Sequence, residues 1–354
     1  MIKLLMLGPA RSVKGGMTSV VDNYFDAGIE KKVDITYIET VNDKNAFSKI
    51  LKMISGFLKF ITCINRCDIV HIHMASRMST FRKGIYVRIA KKKNKKVILH
   101  IHGAEYKIFY EKECTKKQQK YVINTLNLAD KIIVLSEEWK EYFEKIIDKD
   151  KIIIIYNSIL IPKDFKKDLD TQKILFLGRF GERKGIYDLL DVVEKLITDY
   201  PKLKLYAGGD GEIEKVQKIV KEKDINDNFE YLGWVNGKEK EKYLKEVSFY
   251  VLPSYNEGMP MSLIEGMAYK NVSISTNVGG IPKVINNMNN GIIINPGDKD
   301  ELYNNMKKLL DNDKLRKKLS NNARITVEEK FNINNNLDKL LNVYKSVLEE
   351  VKTK

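Results

Sequence analysis

"SFYVLPSYNEGMPMSLIEGMA", residues 248–268, holds a strand, a loop and the start of a helix in one line. The run Phe249-Tyr250-Val251-Leu252 is continuously apolar, as a strand covered on both faces must be. Pro260 blocks a helix from running back through the loop, so the helical segment starts near Pro260 or Met261. Glu257 then lies on the loop and Glu265 about a turn into the helix. A buried strand that hands its carboxyl end to a helix is one repeat of a parallel α/β sheet.

The same repeat recurs along the chain. "IKLLML", "VDITYI", "DIVHIH", "KVILHIH", "KIIVLS" and "KIIIIYN" mark six strands in the first half. "KILFLG", "KLKLYAG", "FEYLGWV", "SFYVLP", "VSISTN" and "GIIINP" mark six in the second. Segments of helical periodicity separate them, which predicts an α/β chain of two doubly wound, Rossmann-like domains facing across a cleft. The polar, proline-bearing stretch "NSILIPKDFKKDLDTQK" (157–173) is the expected junction. It divides the chain into a domain at 1–163 and a domain at 164–331. The break at "FNINNN" sets off a helix at 332–354, expected to return to the first domain. Ligands of such sheets sit beyond the carboxyl ends of the strands.

The 354 residues suffice for two cores, and three scattered cysteines give neither a disulfide framework nor a C-x-x-C pair. The expected compartment is therefore reducing and cytoplasmic, with the inner face of the plasma membrane as the place where a basic surface would meet lipid. The opening "MIKLLMLGPARS" is too short in its apolar run for a secretory segment, and no run approaches a membrane span. The formal charge is +15 and unevenly placed: residues 1–163 hold 30 Lys and Arg against 17 Asp and Glu, the remainder 32 against 30. This surplus reads either as solvated lysines or as a face for an anionic partner, lipid head groups or a phosphate-bearing acceptor. In "ISGFLKFITCINR" (54–66), Phe57, Phe60, Ile61 and Ile64 fall at helical spacing beside Lys59 and Arg66. That stripe either packs on the sheet or meets a membrane together with Lys91, Lys92, Lys93, Lys95 and Lys96 of "RIAKKKNKK".

Three strand-to-helix loops carry chemistry. "GPARSVKGGMTSVVDNYF" (8–25) sets Gly15 and Gly16 at a helix start, where backbone can approach a phosphate; a plain tight turn is the alternative. "FLGRFGERKG" (176–185) places Arg179, Arg183 and Lys184 between a strand end and a helix, where cations can clamp a diphosphate. In the opening stretch the helix start can hold phosphate as well, while Glu257 and Glu265 are acceptors suited to sugar hydroxyls. The competing reading there is a capping box between Ser262 and Glu265. The four histidines form two pairs, His71/His73 and His100/His102, each on one face of a strand. No Asp, Glu or Cys stands beside them at the ends of the same strands, so no metal is expected. His102, followed by Gly103, is expected to face the cleft, with His71 and His100 hydrogen-bonded inside the sheet.

These segments together resemble the family 4 retaining glycosyltransferases of bacterial polysaccharide and cell-envelope biosynthesis. "EGMPMSLIEGMA" (257–268) looks like the family's E-x7-E signature, and "GRFGERKG" resembles its diphosphate-binding segment. The Gly15-Gly16 loop, "VILHIHG" (97–103) and "GGDGE" (208–212) stand in the family's order. The resemblance spans nearly the whole chain and implies the GT-B fold: an acceptor-binding first domain and a nucleotide-sugar-binding second. It implies that Arg179 and Lys184 neutralise the diphosphate, Glu265 binds the ribose and Glu257 lies by the donor sugar. The backbone of Gly258, Met259, Pro260, Met261, Ser262 and Leu263 would line the sugar and phosphate, every residue but Pro260 offering an amide N–H. Gly15 and Gly16 would lie under the diphosphate, and His102 beside the donor sugar. The implied reaction moves a hexose or N-acetylhexosamine, with retention and without a metal, to a glycan or lipid-linked acceptor. A UDP-sugar is favoured over a GDP-sugar as donor.

Rival classes fit less of the chain. A nucleotide-sugar epimerase of the same fold has no need of a basic first domain. A nucleic-acid-binding protein would need a recognition motif or aromatic residues interleaved through the basic run; no such motif occurs and there is little interleaving. Nucleic acid is therefore not an expected partner.

Overall fold

The computed structural model describes residues 1–349. Residues 350–354, the last of the expected C-terminal helix, lie outside the described residues. The chain divides into two compact units, one of residues 1–160 continued from Asn332 onward, the other Ile161–Phe331. The sequence expectation set the first division at 163/164, three residues later.

The first unit contains β1 (Lys3–Gly8), β2 (Asp34–Glu39), β3 (Ile69–Met74), β4 (Lys96–Ile101), β5 (Lys131–Val134) and β6 (Ile152–Ile154). All pair in parallel in the order β2-β1-β3-β4-β5-β6. Every residue of β3 is buried, whereas the edge strand β2 is half-buried, so side-chain hydrophobicity follows position in the sheet. The second unit contains β7 (Lys173–Leu177), β8 (Lys204–Gly208), β9 (Phe229–Gly233), β10 (Phe249–Leu252), β11 (Val272–Thr276) and β12 (Ile292–Ile294). Its parallel order is β12-β11-β10-β7-β8-β9. The chain reverses its direction of travel between β1 and β3 in one sheet and between β7 and β10 in the other. These are the switch points beyond which doubly wound sheets bind ligands.

The alternatives left open for the first unit's stripe and lysine run divide residue by residue. Of the predicted stripe, Phe60 and Ile64 are core residues and Phe57 packs edge-on against Tyr86, leaving Ile61 exposed. In the lysine run, Lys91 and Lys96 pair with Asp130, while Lys95 donates to the carbonyls of Cys67 and Asn65. These three lysines tie down the amino-terminal ends of β4 and β5, away from the ligand end of the sheet.

The core of this unit is partly polar. His71, His73 and His100 are buried, with His73 and His100 side by side in the β3–β4 register. Their rings stack at 4.6 to 5.5 Å and 16 to 29°. Desolvation holds all three imidazoles below the usual pKa, His71 down to about 3, so they are neutral. Their nearest ring nitrogens lie within 4.8 Å of one another.

The expected hydrogen bonds inside the sheet do not form, because the strand ladders already use the neighbouring backbone groups. His71 Nδ1 instead meets the Tyr344 hydroxyl at 2.6 Å, and neither ring nitrogen of His100 has a partner among the described residues. Tyr344 belongs to the helix Ile333–Glu349, whose buried face also includes Leu337, Leu340 and Val347. The described part of the C-terminal segment is thus built into the first unit. Tyr344→Phe strips His71 Nδ1 of its partner and should cost about 1–3 kcal/mol in urea unfolding. An unchanged midpoint would show that the bond contributes nothing to holding this helix.

Candidate active site

At the switch point of the second unit, loops from four strands converge. The loop after β7 runs from Gly178 to Gly185, and the loop after β10 from Pro253 to Pro260. They are laced together: Tyr255 N donates to Arg183 O at 2.8 Å, and Arg183 Nη1 donates to Asn256 O at 3.0 Å. Gly185, at φ 70°, passes so close that a Cβ would stand 2.0 Å from Pro253 O. Only glycine permits both the left-handed turn and the approach.

That approach sets Lys184 against Glu257. The Lys184 ammonium donates to Glu257 Oε1, and the Ser254 hydroxyl donates to the same oxygen at 2.8 Å. Both charged side chains are largely buried, 13% and 6% exposed. Behind them, the turn after β11 presses on the loop: Gly280 N donates to Gly258 O at 2.6 Å. A Cβ on Gly279, at φ 52°, would lie 1.9 Å from Glu257 O. The loop after β8 closes the other side, where Phe180 N donates to Asp210 O at 2.6 Å.

Arg179 differs from Lys184. Its side chain is 69% exposed, and the Asp210 carboxylate stands 3.8 Å away. The structure therefore offers one buried, compensated cation and one extended cation at the same loop. Arg183, also a candidate cation by sequence, spends its guanidinium on the Asn256 carbonyl.

The helix expected near Met261 spans Met261–Ala268, and no side chain caps its N-terminus. The capping box does not form: Ser262 Oγ donates to Leu177 O at 3.2 Å, and Glu265 receives Lys240 Nζ at 2.7 Å. Ser262 thereby ties the helix start to the end of β7. Met259, Met261 and Leu263 are buried, so what this segment can offer a ligand is backbone. Uncapped amides at a helix start favour an anion.

In the first unit, the helix Gly16–Asp26 follows β1, with Gly15 at its N-cap and no side-chain cap. No atom outside the local chain lies within 4 Å of where a Cβ on Gly15 or Gly16 would sit, so protein packing does not explain this pair. His102 follows β4. Its N donates to Met74 O at 2.8 Å, and its Nε2 is 2.9 Å from His73 Nδ1. Desolvation, then Lys83 and His71, depress its pKa, which favours the neutral imidazole.

Sequence reading missed Ser254, Lys240 and the Gly279-Gly280 pair. The glycine pair carried a usable signal, since "VGG" follows a strand as the Gly15-Gly16 loop does. Ser254 and Lys240 carried none, because their partners are set by three-dimensional neighbours.

The chain is similar to known proteins along most of its length. Residues 157–326 match the family model described as glycosyl transferases group 1, and residues 26–160 match glycosyltransferase family 4. The poly(ribitol-phosphate) alpha-N-acetylglucosaminyltransferase of Staphylococcus aureus is 27% identical over 70% of this chain and 50% of its own. The 2-deoxystreptamine N-acetyl-D-glucosaminyltransferase of Niallia circulans is 26% identical over 80% of this chain and 77% of its own. In architecture, the chain is similar to Anabaena HepE solved with UDP and glucose, at a TM-score of 0.78 and 14% identity, covering 98% of this chain and 100% of that one. The two family models together span residues 26–326, and the two doubly wound sheets are those of the GT-B fold. This chain is a glycosyltransferase of family 4.

Proposed function

We propose that this glycosyltransferase moves a hexose or N-acetylhexosamine from a nucleotide diphosphate sugar, a UDP-sugar by preference, to a glycan or lipid-linked glycan. Transfer retains the anomeric configuration, needs no metal, and serves cell-surface polysaccharide assembly at an anionic membrane. The carrying observation is the buried Lys184–Glu257 pair beside the uncapped start of the helix Met261–Ala268. A cation, a carboxylate and helix amides at one switch point suit a ligand that is diphosphate at one part and polyhydroxyl at the next. The choice of UDP is supported by the UDP and glucose bound in the HepE structure. The choice of sugar is supported by two relatives named for N-acetylglucosaminyl transfer, and retention by the alpha product in one of those names.

The mechanism follows from where charge develops. Cleaving the bond between the anomeric carbon and the diphosphate oxygen leaves negative charge on the phosphate and oxocarbenium character on the sugar. Arg179, Lys184 and the helix amides stabilise the first. The acceptor hydroxyl attacks the anomeric carbon on the face the phosphate leaves, and its proton passes to the departing phosphate oxygen. Glu257 accepts hydrogen bonds from sugar hydroxyls, and Glu265, held by Lys240, reads the ribose. In the first unit, taken by itself, His102 is a sugar-binding candidate and the Gly15-Gly16 backbone a phosphate-binding one.

Removing Lys184 alone leaves Glu257 buried and uncompensated. Lys184→Ala should therefore destabilise the protein by about 3–5 kcal/mol and lower kcat by about 10²–10³-fold. Lys184→Met combined with Glu257→Gln removes both charges, so stability should largely return while activity does not. If the double variant regains wild-type turnover, the pair is scaffold and the assignment falls.

The two glutamates should fail differently when titrated with UDP alone. Glu265→Gln should weaken UDP binding by about tenfold, one charge-assisted hydrogen bond's worth. Glu257→Gln should bind UDP nearly as tightly as the parent yet transfer sugar poorly. Equal loss of UDP affinity in both variants would refute the division between sugar and ribose.

A further inference from the structure

The helix Ala46–Cys63, between β2 and β3, has apolar residues on more of its surface than the sheet can cover. Its inward face is fixed by a backbone contact: Gly56 lies so close to β2 that a Cβ would stand 2.4 Å from Glu39 O. Phe60, buried on the same side, packs edge-on against Tyr86 at 4.9 Å. With that orientation set, Phe47, Ile50, Leu51, Ile54, Leu58 and Ile61 face solvent, each 42 to 70% exposed. Their spacing of three and four residues places them on one continuous face of the helix. The neighbouring helix Met78–Lys92 adds exposed Met78 and Ile85.

An apolar face this long is not the scattered exposure of an ordinary surface. Charge identifies what covers it. Neither helix contains a single Asp or Glu, and Lys44, Lys49 and Lys59 are exposed beside the stripe. A second copy docking on the same face would bring these cations together, whereas an anionic lipid surface complements both the charge and the apolar side chains. No helix among the described residues is long and apolar enough to cross a membrane, so the helix would lie along the bilayer surface. Its N-terminal end follows the carboxyl end of β2, the ligand-binding end of this sheet.

We propose that the exposed face of the helix Ala46–Cys63 docks this protein on an anionic phospholipid bilayer. The side chains of Ile50, Ile54, Leu58 and Ile61 enter the boundary between head groups and acyl chains, and the flanking lysines meet lipid phosphates. The inference rests on the proposed acceptor reading and deepens it, since a lipid-linked acceptor would be presented where the enzyme is seated.

Sedimentation with phosphatidylglycerol–phosphatidylcholine vesicles tests it, using the full chain and the double variant Ile54→Asp, Leu58→Asp. Both substitutions are at exposed positions, and a thermal melt confirms that the variant folds. The parent should pellet with anionic vesicles at low salt, not with pure phosphatidylcholine, and should be released in about 1 M salt, where the Debye length falls to about 3 Å. The variant should partition at least about tenfold less, as loss of two buried leucine-sized anchors implies. A parent that stays in the supernatant at low salt, or a variant that pellets equally, overturns the proposal. So does a vesicle-free parent dimer that the variant converts to monomer, which would assign the face to a second copy. UDP titration runs alongside: a parent that binds vesicles but not UDP would sink the donor reading and leave the membrane face standing.

Discussion

The contact between Lys184 and Glu257 governs the second unit. The two residues lie 73 apart in the chain and meet because the strand order makes β7 and β10 neighbours. For them to touch, Gly185 must pass against the Pro253 carbonyl, and Gly279 must lie against the carbonyl of Glu257. Arg183 must also bind the Asn256 carbonyl. A side chain at either glycine would push the loops apart. Backbone geometry at three strand ends is thus organised around one ion pair.

Stability gives little reason for such a pair. Two buried charges lose hydration roughly equal to what their attraction returns, and apolar residues of the same volume commonly serve as well. The proposed ligand supplies the reason. A diphosphate draws the lysine, sugar hydroxyls draw the carboxylate, and each partner keeps the other's charge compensated until the ligand arrives. Arg179, exposed and 3.8 Å from Asp210, is the second cation that the proposal assigns to the diphosphate. Its distance from Asp210 leaves it free to move without breaking a strong contact.

Much of this was legible in the sequence, for definite physical reasons. Strands buried on both faces must be continuously apolar, so β3, β4, β7 and β10 stand out as runs. The loops at 176–185 and 253–265 are legible because their chemistry is local: glycine, cation, proline and carboxylate sit within a few residues of a strand end. What failed was nonlocal. Nothing near His71 announces Tyr344, 273 residues away, and nothing near Glu265 announces Lys240. The helix Ala46–Cys63 is a different case. It is apolar around most of its circumference, so periodicity left open whether the stripe of Phe57, Phe60, Ile61 and Ile64 packs on the sheet or faces out. The choice is made by Gly56 against Glu39 O, a contact visible only once β2 and the helix are placed.

The central claim is that Arg179, Lys184 and the start of the helix Met261–Ala268 hold a diphosphate without a metal. Calorimetric titration of UDP in excess EDTA tests it most directly, comparing the parent with Arg179→Ala, whose exposed side chain can be removed without disturbing the fold. The account predicts binding by the parent in EDTA and about tenfold or greater weakening in Arg179→Ala, the loss of one charge-assisted phosphate contact. Binding that requires a divalent cation, or that is indifferent to Arg179, would contradict it.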